Sequence, residues 1–497
     1  MAVENETEAF RTSPGPSKDE GPPRHLGLAL VVIATTQLML ILDSTIVSVA
    51  LPKMQSSLHL LTADLNWVLT AYSLTFGGLL LVGGRAGDLF GRKRLFRAGL
   101  VVFTAASLVG GLAENSGVLI TGRVLQGVGA AIAAPNALSL LATTFPAGPA
   151  RNKAMGVYGA MGGLGSVVGL LLGGALTEYL SWRWVMFVNV PIAVLVLLGT
   201  GVLREGSREH GRLDLPGAIT ATLSAAGAVY GINRGNSSGW SDTGTITCLV
   251  LAVVLLGVFV MVQRASSAPM LPPTLLRDRA RAGAVLVMLT LGAGMAGTFF
   301  FLTLYMQFVK GYSPMTTGVY YLPFAFAIGL GAGAIGPQLL ARISERAVVL
   351  IGMLVGSVGT AWFGLLTSHG NPFVALLPAQ LVAGVGIGLA FVTVTVVSVR
   401  GVDPQNTGIA SGLVNTAQQV GGAIGLAALA AAALAATRSY QHRHSPLDSL
   451  THGYDIGFLV AAGIYLVGLV IAAVTLGASA PQQASVPQRA ADAAVEH

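Results

Sequence analysis

The sequence predicts an all-α polytopic membrane protein, and three observations carry that reading. Hydrophobic residues make up 53% of the chain and charged ones 10%, against about a quarter charged in a soluble domain; the mean hydropathy is +0.72. Apolar stretches recur along the whole length, each near the roughly 20 residues that cross a bilayer as a helix. Glycine is abundant, at 65 residues, as suits helices that must approach backbone to backbone in lipid.

In order, the stretches are 27–51, 65–84, 95–113, 117–141, 154–177, 184–203, 215–233, 244–263, 282–306, 315–340, 347–367, 373–399, 408–436 and 455–477. Fourteen crossings put both tails, 1–25 and 478–497, on the same side. With the N-tail cytoplasmic, the inner connections gather Arg85, Arg92, Lys93, Arg94, Arg97, Arg151, Lys153, Arg204, Arg208, Arg212, Arg264, Arg277, Arg279, Arg281, Arg342, Arg346 and Arg400. The outer ones hold only Lys53, Arg183, Arg234, Lys310, Arg438 and Arg443. That roughly threefold bias fixes both termini inside by the positive-inside rule. Trp67, Trp182, Trp184 and Trp240 then fall at the outer interface, where they read as anchors. The polar first residues have no apolar core of a signal peptide. Arginine in excess over lysine, with much alanine and glycine, points to a GC-rich bacterial gene and so to a bacterial plasma membrane.

An internal repeat is legible in the glycines. Gly156, Gly165 and Gly169 of the fifth stretch have the spacing of Gly412, Gly421 and Gly425 of the thirteenth, and Gly127-Val128-Gly129 of the fourth matches Gly384-Val385-Gly386 of the twelfth. Chance in a glycine-rich chain is the alternative. The repeat pairs stretches 1–6 with 9–14, giving a six-helix bundle at 26–203, a two-helix insertion with its flanking loops at 204–264 and a second six-helix bundle at 265–477.

Several function classes are excluded. One cysteine, Cys248, allows no internal disulfide and no thiolate metal site. The histidines lie in tails, loops or stretch ends, so no His–acid or His–metal cluster forms at membrane depth, which argues against an embedded enzyme. The net charge of +7 is scattered over short loops, as topology requires, and does not point to nucleic acid. No Gly-Lys dipeptide occurs, so there is no P-loop for ATP. Gly331-Ala332-Gly333-Ala334-Ile335-Gly336 matches the dinucleotide-binding pattern but follows no strand, and helix packing explains it better.

Two ionisable residues stand out inside the stretches. Asp43 is the one carboxylate placed well within an apolar stretch, and an acid in the hydrocarbon layer is a functional-site hypothesis by default. Arg123 is the one base so placed. Each is read about two turns from the outer end of its stretch, so the two are expected to interact; an Arg123 that snorkels to the interface is the alternative. Between the second and third stretches, Gly84-Arg85-Ala86-Gly87-Asp88-Leu89-Phe90-Gly91-Arg92-Lys93-Arg94 reads as a tight glycine turn. Asp88 pairs there with an arginine near a helix N-terminus, a charged latch; a loop that only sets topology is the alternative. The segment from Gly336 to Arg346 is a degenerate echo.

These motifs, with Leu42-Asp43-Ser44-Thr45-Ile46-Val47, Arg123-Val124-Leu125-Gln126-Gly127, the glycines of the fifth stretch and Trp182-Arg183-Trp184 to Asn189-Val190-Pro191, occur together. In combination the chain resembles the major facilitator superfamily from about residue 26 to 477, and is similar to the fourteen-helix drug:proton antiporters of the EmrB/QacA type. It departs from them in having Ser48 where Asn is usual, and Gly169-Leu170 where Gly-Pro is usual, which removes a kink site.

The resemblance implies a major facilitator fold and proton-coupled efflux of a hydrophobic or cationic drug or antibiotic by alternating access. The proton gradient would drive it, with no cofactor, metal or ATP. Asp43 and Arg123 are expected to carry the proton coupling, because the ionised acid is disfavoured in an apolar interior. Gly84, Asp88, Gly91, Arg92, Lys93 and Arg94 would gate the inner side, and Gly156, Gly165, Gly169, Gly173 and Gly174 form the antiporter motif. Phe300 and Tyr305 are candidate drug-stacking residues, though lipid-facing packing suits most of the aromatic run from Phe299. A proton-coupled importer of a small metabolite is the rival reading, and a membrane-embedded enzyme or receptor a more distant one.

Overall fold

The computed structural model describes residues 26–477 apart from 61, 147, 206–212, 267–268, 272–274, 276, 368–371, 403–406 and 442–443. Both tails, with Arg208, Arg212 and Arg443 among the loop cations counted above, lie outside the described residues. Within them, fourteen helices are long and apolar enough to cross a membrane. They are α1 (Leu26–Leu58), α2 (Thr62–Phe90), α3 (Arg92–Gly111), α4 (Ser116–Thr144), α5 (Pro149–Tyr179), α6 (Trp184–Val202), α7 (Leu215–Ser238), α8 (Thr243–Ala265), α9 (Arg279–Val309), α10 (Pro314–Leu340), α11 (Glu345–Phe363), α12 (Pro372–Val399), α13 (Thr407–Tyr440) and α14 (Pro446–Thr475).

Polar residues at the turns start these helices. Side chains of Asn115, Asp214, Asp242, Asp278, Ser313, Ser344 and Ser445 each accept a hydrogen bond from a first-turn N–H, which satisfies donors that would otherwise be left open. Several carboxylates therefore cluster at helix starts. The turn between α2 and α3 is tighter than the expected loop. Gly84 to Phe90 remain helical, and Gly91 alone reverses the chain, at φ 105°, in the region that glycine adopts without cost.

Packing repeats between α1–α6 and α9–α14, as two six-helix bundles. In the first, α1 pairs with α5, and α4 with α2 and α3; in the second, α9 pairs with α13, and α12 with α10 and α11. The repeated glycines make these approaches possible. A Cβ on Gly165 would lie 2.9 Å from the Leu38 carbonyl oxygen, and one on Gly169 would be 3.0 Å from that of Leu42. Across the molecule a Cβ on Gly421 would lie 2.1 Å from the Leu289 carbonyl oxygen, and one on Gly425 would be 2.5 Å from the Ala293 Cα. Gly127 and Gly384 do the same against the Tyr72 and Phe324 carbonyls, at 2.7 and 2.9 Å. Backbone cannot yield as a flexible side chain does, so Gly421→Val is expected to force α9 and α13 apart. The cost is about 1–3 kcal/mol or more, read as a lower melting temperature of the detergent-solubilised protein.

The inserted pair α7–α8 lies on one flank of the seam between bundles. Ala225 and Val229 of α7 pack with Leu74 of α2 and with Ala423 and Ala427 of α13, while α8 presents most of its surface outward. The bundles meet along α2–α13 and along α5–α10. At the end bearing Lys53 they are closed. There the Gln307 amide donates to the Val49 carbonyl at 2.8 Å and the Met315 N–H donates to Glu178 at 2.8 Å. Gly174 admits the Pro314 backbone, and Gly318 that of Leu170. Towards the end bearing Gly91, Gly156, Gly159 and Gly163 of α5 and Gly329 and Gly333 of α10 all face open space. The two bundles are thus joined at the Lys53 end, while these glycines towards the other end have open space before them.

Three placements differ from expectation. α1 runs on to Leu58, which puts Asp43 near the middle of the helix, because the polar turn after residue 51 stays helical. α14 begins at Pro446, capped by Ser445, so Asp455 lies well inside it. Trp182 is 4% exposed and covered by the Arg183 guanidinium at 4.7 Å, so it packs inside the protein and anchors nothing in lipid. Trp184 and Trp240 remain exposed.

Candidate functional site

The first bundle closes around a charged centre. Asp43 of α1 is 0% exposed and Arg123 of α4 is 1% exposed. Arg123 NH1 donates to Asp43 Oδ2 at 2.7 Å. The other carboxylate oxygen, Oδ1, accepts from Asn189 Nδ2 of α6 at 2.7 Å and from Gln126 Nε2 of α4 at 3.1 Å. Arg123 is held in turn: Nε donates to the Val68 carbonyl of α2 at 2.9 Å, NH1 donates to Gln126 Oε1 at 2.9 Å, and the guanidinium lies 4.4 Å from the centre of the Tyr72 ring. Gln126 Nε2 also donates to Ser107 Oγ of α3 at 2.8 Å. Five helices of one bundle therefore converge on a single carboxylate.

Local sequence explains the convergence. Arg123 and Gln126 are three residues apart, so they share one helix face. Gly127 lets α2 come close enough for the Val68 and Tyr72 contacts. Asn189 follows a break in α6 between Phe187 and Asn189, at which Pro191 has no N–H to give back to the preceding turn. Taking two charges out of water is expensive and is compensated only by good geometry with every hydrogen-bonding site filled. That condition is met at the carboxylate. One atom is left over, since Asn189 Oδ1 is buried without a partner.

The second bundle keeps the frame and drops the charge. By the matching glycine contacts, Gly294 stands where Asp43 does, and the Tyr465 ring fills the space beside it, 2.5 Å from where a Cβ would be. Gln380 stands where Arg123 does and donates to the Tyr320 carbonyl at 2.8 Å, as Arg123 does to Val68. Among the described residues the ionic centre has no counterpart in the second bundle.

The structure brings Asp43 and Arg123 together directly, and Arg123 does not snorkel. Asp88 pairs with Arg92 at 2.8 Å. Lys93 Nζ donates to the Gly201 and Leu203 carbonyls at 3.1 and 2.6 Å, while its N–H donates to Glu205; Arg94 is exposed. Gly87 makes room for Asn136 of α4 and Gly84 lies against Pro135. The latch residues thus tie α2, α3 and α6 within the first bundle. Of the antiporter-motif glycines, Gly165, Gly169 and Gly173 seat α1, Gly174 seats α10, and Gly156 faces open space.

Phe300 and Tyr305 are buried in this conformation. They are 2% and 1% exposed, inside the second bundle, with the Tyr305 hydroxyl donating to the Thr367 carbonyl at 2.9 Å. Phe300 packs edge-on to Phe301, which meets Tyr454 and Phe458. Neither residue is presented to a drug or to lipid here, because α9 is the central helix of its bundle and turns this run inward. Sequence reasoning gave no site role to Gln126 and Asn189, named there only within motifs, and did not name Tyr72 or Ser107. Their signal was polarity at helical spacing from Arg123, or a lone amide in an apolar stretch.

The model of the Major Facilitator Superfamily matches residues 33–426. The chain belongs to that superfamily. As a member of the Major Facilitator Superfamily it is 42% identical over 463 residues to the puromycin resistance protein pur8 of Streptomyces alboniger, covering 91% of this chain and 92% of that one. It is 36% identical to the cephamycin export protein CmcT of Amycolatopsis lactamdurans, covering 90% and 91%. Among solved structures, the nucleoside transporter NupG superposes with a TM-score of 0.62 at 12% identity, over 90% of this chain and all of NupG; at that identity the likeness is one of fold. The human organic anion transporter MFSD10 gives 0.60 at 15% identity, over 91% and 100%.

Proposed function

We propose that this protein exports a hydrophobic or cationic antibiotic from the cytoplasm across a bacterial plasma membrane in exchange for protons. Relatives named for puromycin resistance and cephamycin export support the cargo class. The observation that carries the coupling is the fully enclosed Asp43 carboxylate, bonded by Arg123, Gln126 and Asn189.

With no exposed surface, Asp43 exchanges a proton only when helices part. A state that opens to the periplasmic side lets it take a proton, which removes its charge and with it most of the attraction to Arg123. The α1–α4 contact then loosens, and the bundles rearrange about the α2–α13 and α5–α10 seams. With the termini inside, the Gly91 end faces the cytoplasm, so the conformation described here is closed outward and open inward, ready to load cargo. The latch around Asp88, Arg92 and Lys93 holds the inner ends of α2, α3 and α6 as one body during that movement. We read the protein as a transporter without catalytic chemistry of its own, driven by the proton gradient and by no cofactor, metal or ATP.

Expression in a host stripped of its own efflux pumps tests the direction. An exporter raises the inhibitory concentration of its antibiotic several-fold across a panel that includes puromycin, and a protonophore cancels the gain. An importer of metabolites leaves tolerance unchanged or lowers it.

A further inference from the structure

We propose that Asp455 is a second proton-binding site, in the bundle that lacks the Asp–Arg pair, so that each cycle takes up more than one proton. The inference rests on the proton-coupled reading above. Asp455 lies nine residues along α14 from Pro446, about 13 Å at 1.5 Å per residue, in the part nearer the Lys53 end. It is half-buried. Its Oδ1 is enclosed and accepts no hydrogen bond, and among the described residues no cation is paired with it.

The surroundings account for that isolation. From α9 the titratable neighbour is Tyr305, whose hydroxyl donates to the Thr367 carbonyl; Lys310, just past α9, lies over that ring, 5.7 Å from its centre. The ionisable groups of α11, Glu345 and Arg346, are at the opposite end of the molecule, where Arg346 bonds the Ala473 carbonyl at 2.7 Å. α13 contributes Arg438 and Tyr440 near its last turn, and α14 itself Asp448, His452 and Tyr454. His452 is stacked on Tyr440 at 4.2 Å. None of these donates to Asp455.

The contrast with Asp43 gives the chemistry. Asp43 has a guanidinium and two amides arranged for a negative charge. Asp455 has none, so its ionised form is a half-buried charge with nothing to offset it, whereas the neutral acid asks little of its surroundings. An acid held in this way takes a proton from the outer medium as a carboxyl O–H. It releases that proton when the second bundle shifts and the carboxylate gains water or a donor. Two carboxylates with opposite surroundings, one in each bundle, divide the cycle into two protonation events.

Purified protein in vesicles, loaded with an antibiotic that the susceptibility panel identifies, tests this. The steady-state drug gradient is measured against an imposed pH gradient. One proton fewer lowers the drug gradient by roughly tenfold per pH unit, since each proton contributes one factor of ten. Asp455→Asn is expected to show that loss while still pumping, and Asp455→Glu to keep the wild-type slope. A slope unchanged in Asp455→Asn overturns the proposal. A wild type with no dependence on pH overturns the proton-coupled reading itself, a different result. Infrared spectroscopy gives an independent check that needs no transport. The wild type should show a protonated-carboxyl band at neutral pH that is lost in Asp455→Asn and kept in Asp43→Asn; no such band in the wild type also overturns the assignment. Because Asp455 has no hydrogen bond to lose, Asp455→Asn should melt no lower than the wild type.

Discussion

Asp43→Asn is expected to lower sharply the antibiotic gradient that a pH gradient sustains in vesicles, while the protein still folds and still lets drug cross. With one coupled proton lost, the gradient sustained falls by about tenfold or more per pH unit. The fold survives for a structural reason. An asparagine at position 43 keeps a carbonyl oxygen for Arg123 but turns a donor towards the amides of Gln126 and Asn189, which already donate there. Asn189 Oδ1, buried and without a partner, can rotate to accept from the new amide. Arg123 nevertheless loses its counter-charge while buried, so the melting temperature should still fall, by part of the about 3–5 kcal/mol that breaking a buried pair costs. A drug gradient that keeps the wild-type slope against pH in Asp43→Asn would show that Asp43 carries no coupled proton.

Arg123→Leu is expected to be the most destabilising single change. It leaves the Asp43 carboxylate buried with its cation gone, at a cost of about 3–5 kcal/mol, and also frees the Val68 carbonyl. A large fall in melting temperature in detergent, or loss of membrane-inserted protein, would register it. The pair Asp43→Asn with Arg123→Leu should recover much of that loss, since the uncompensated charge is removed. Equal destabilisation of the single and the double variant would mean that Arg123 acts by packing alone. Arg123→Lys is no conservative replacement here, because an ammonium cannot reach Asp43, Gln126 and Val68 in one fixed fork.

Much of this architecture was legible beforehand because lipid imposes a simple code. Each crossing needs about 20 apolar residues with its backbone bonds satisfied internally, so all fourteen helices stand out as windows. The glycine pairs at 165/169 and 421/425 gave the repeat because close approach admits few other residues. Asp43 and Arg123 were visible as charges out of place. Asn189 was not, since its meeting with Asp43 is made by tertiary convergence across 146 positions. Asp455 was hidden by helix length: the polar turns from Pro446 onward carry no apolar signal, yet they are helical. The inward turn of Phe300 and Tyr305 could not be read either. A helix that is apolar all round offers no periodicity to show which face is covered.

The inserted pair has a further consequence for cargo entry. With α7 wedged across α2 and α13, a greasy compound dissolved in the leaflet nearest Gly91 finds that flank shuttered. On the opposite flank Gly156, Gly159 and Gly163 of α5 and Gly329 and Gly333 of α10 have open space before them. A molecule arriving sideways out of the bilayer would meet two unlike flanks, and bulk added at Gly159 or Gly333 would fill the space before them without touching the ionic centre.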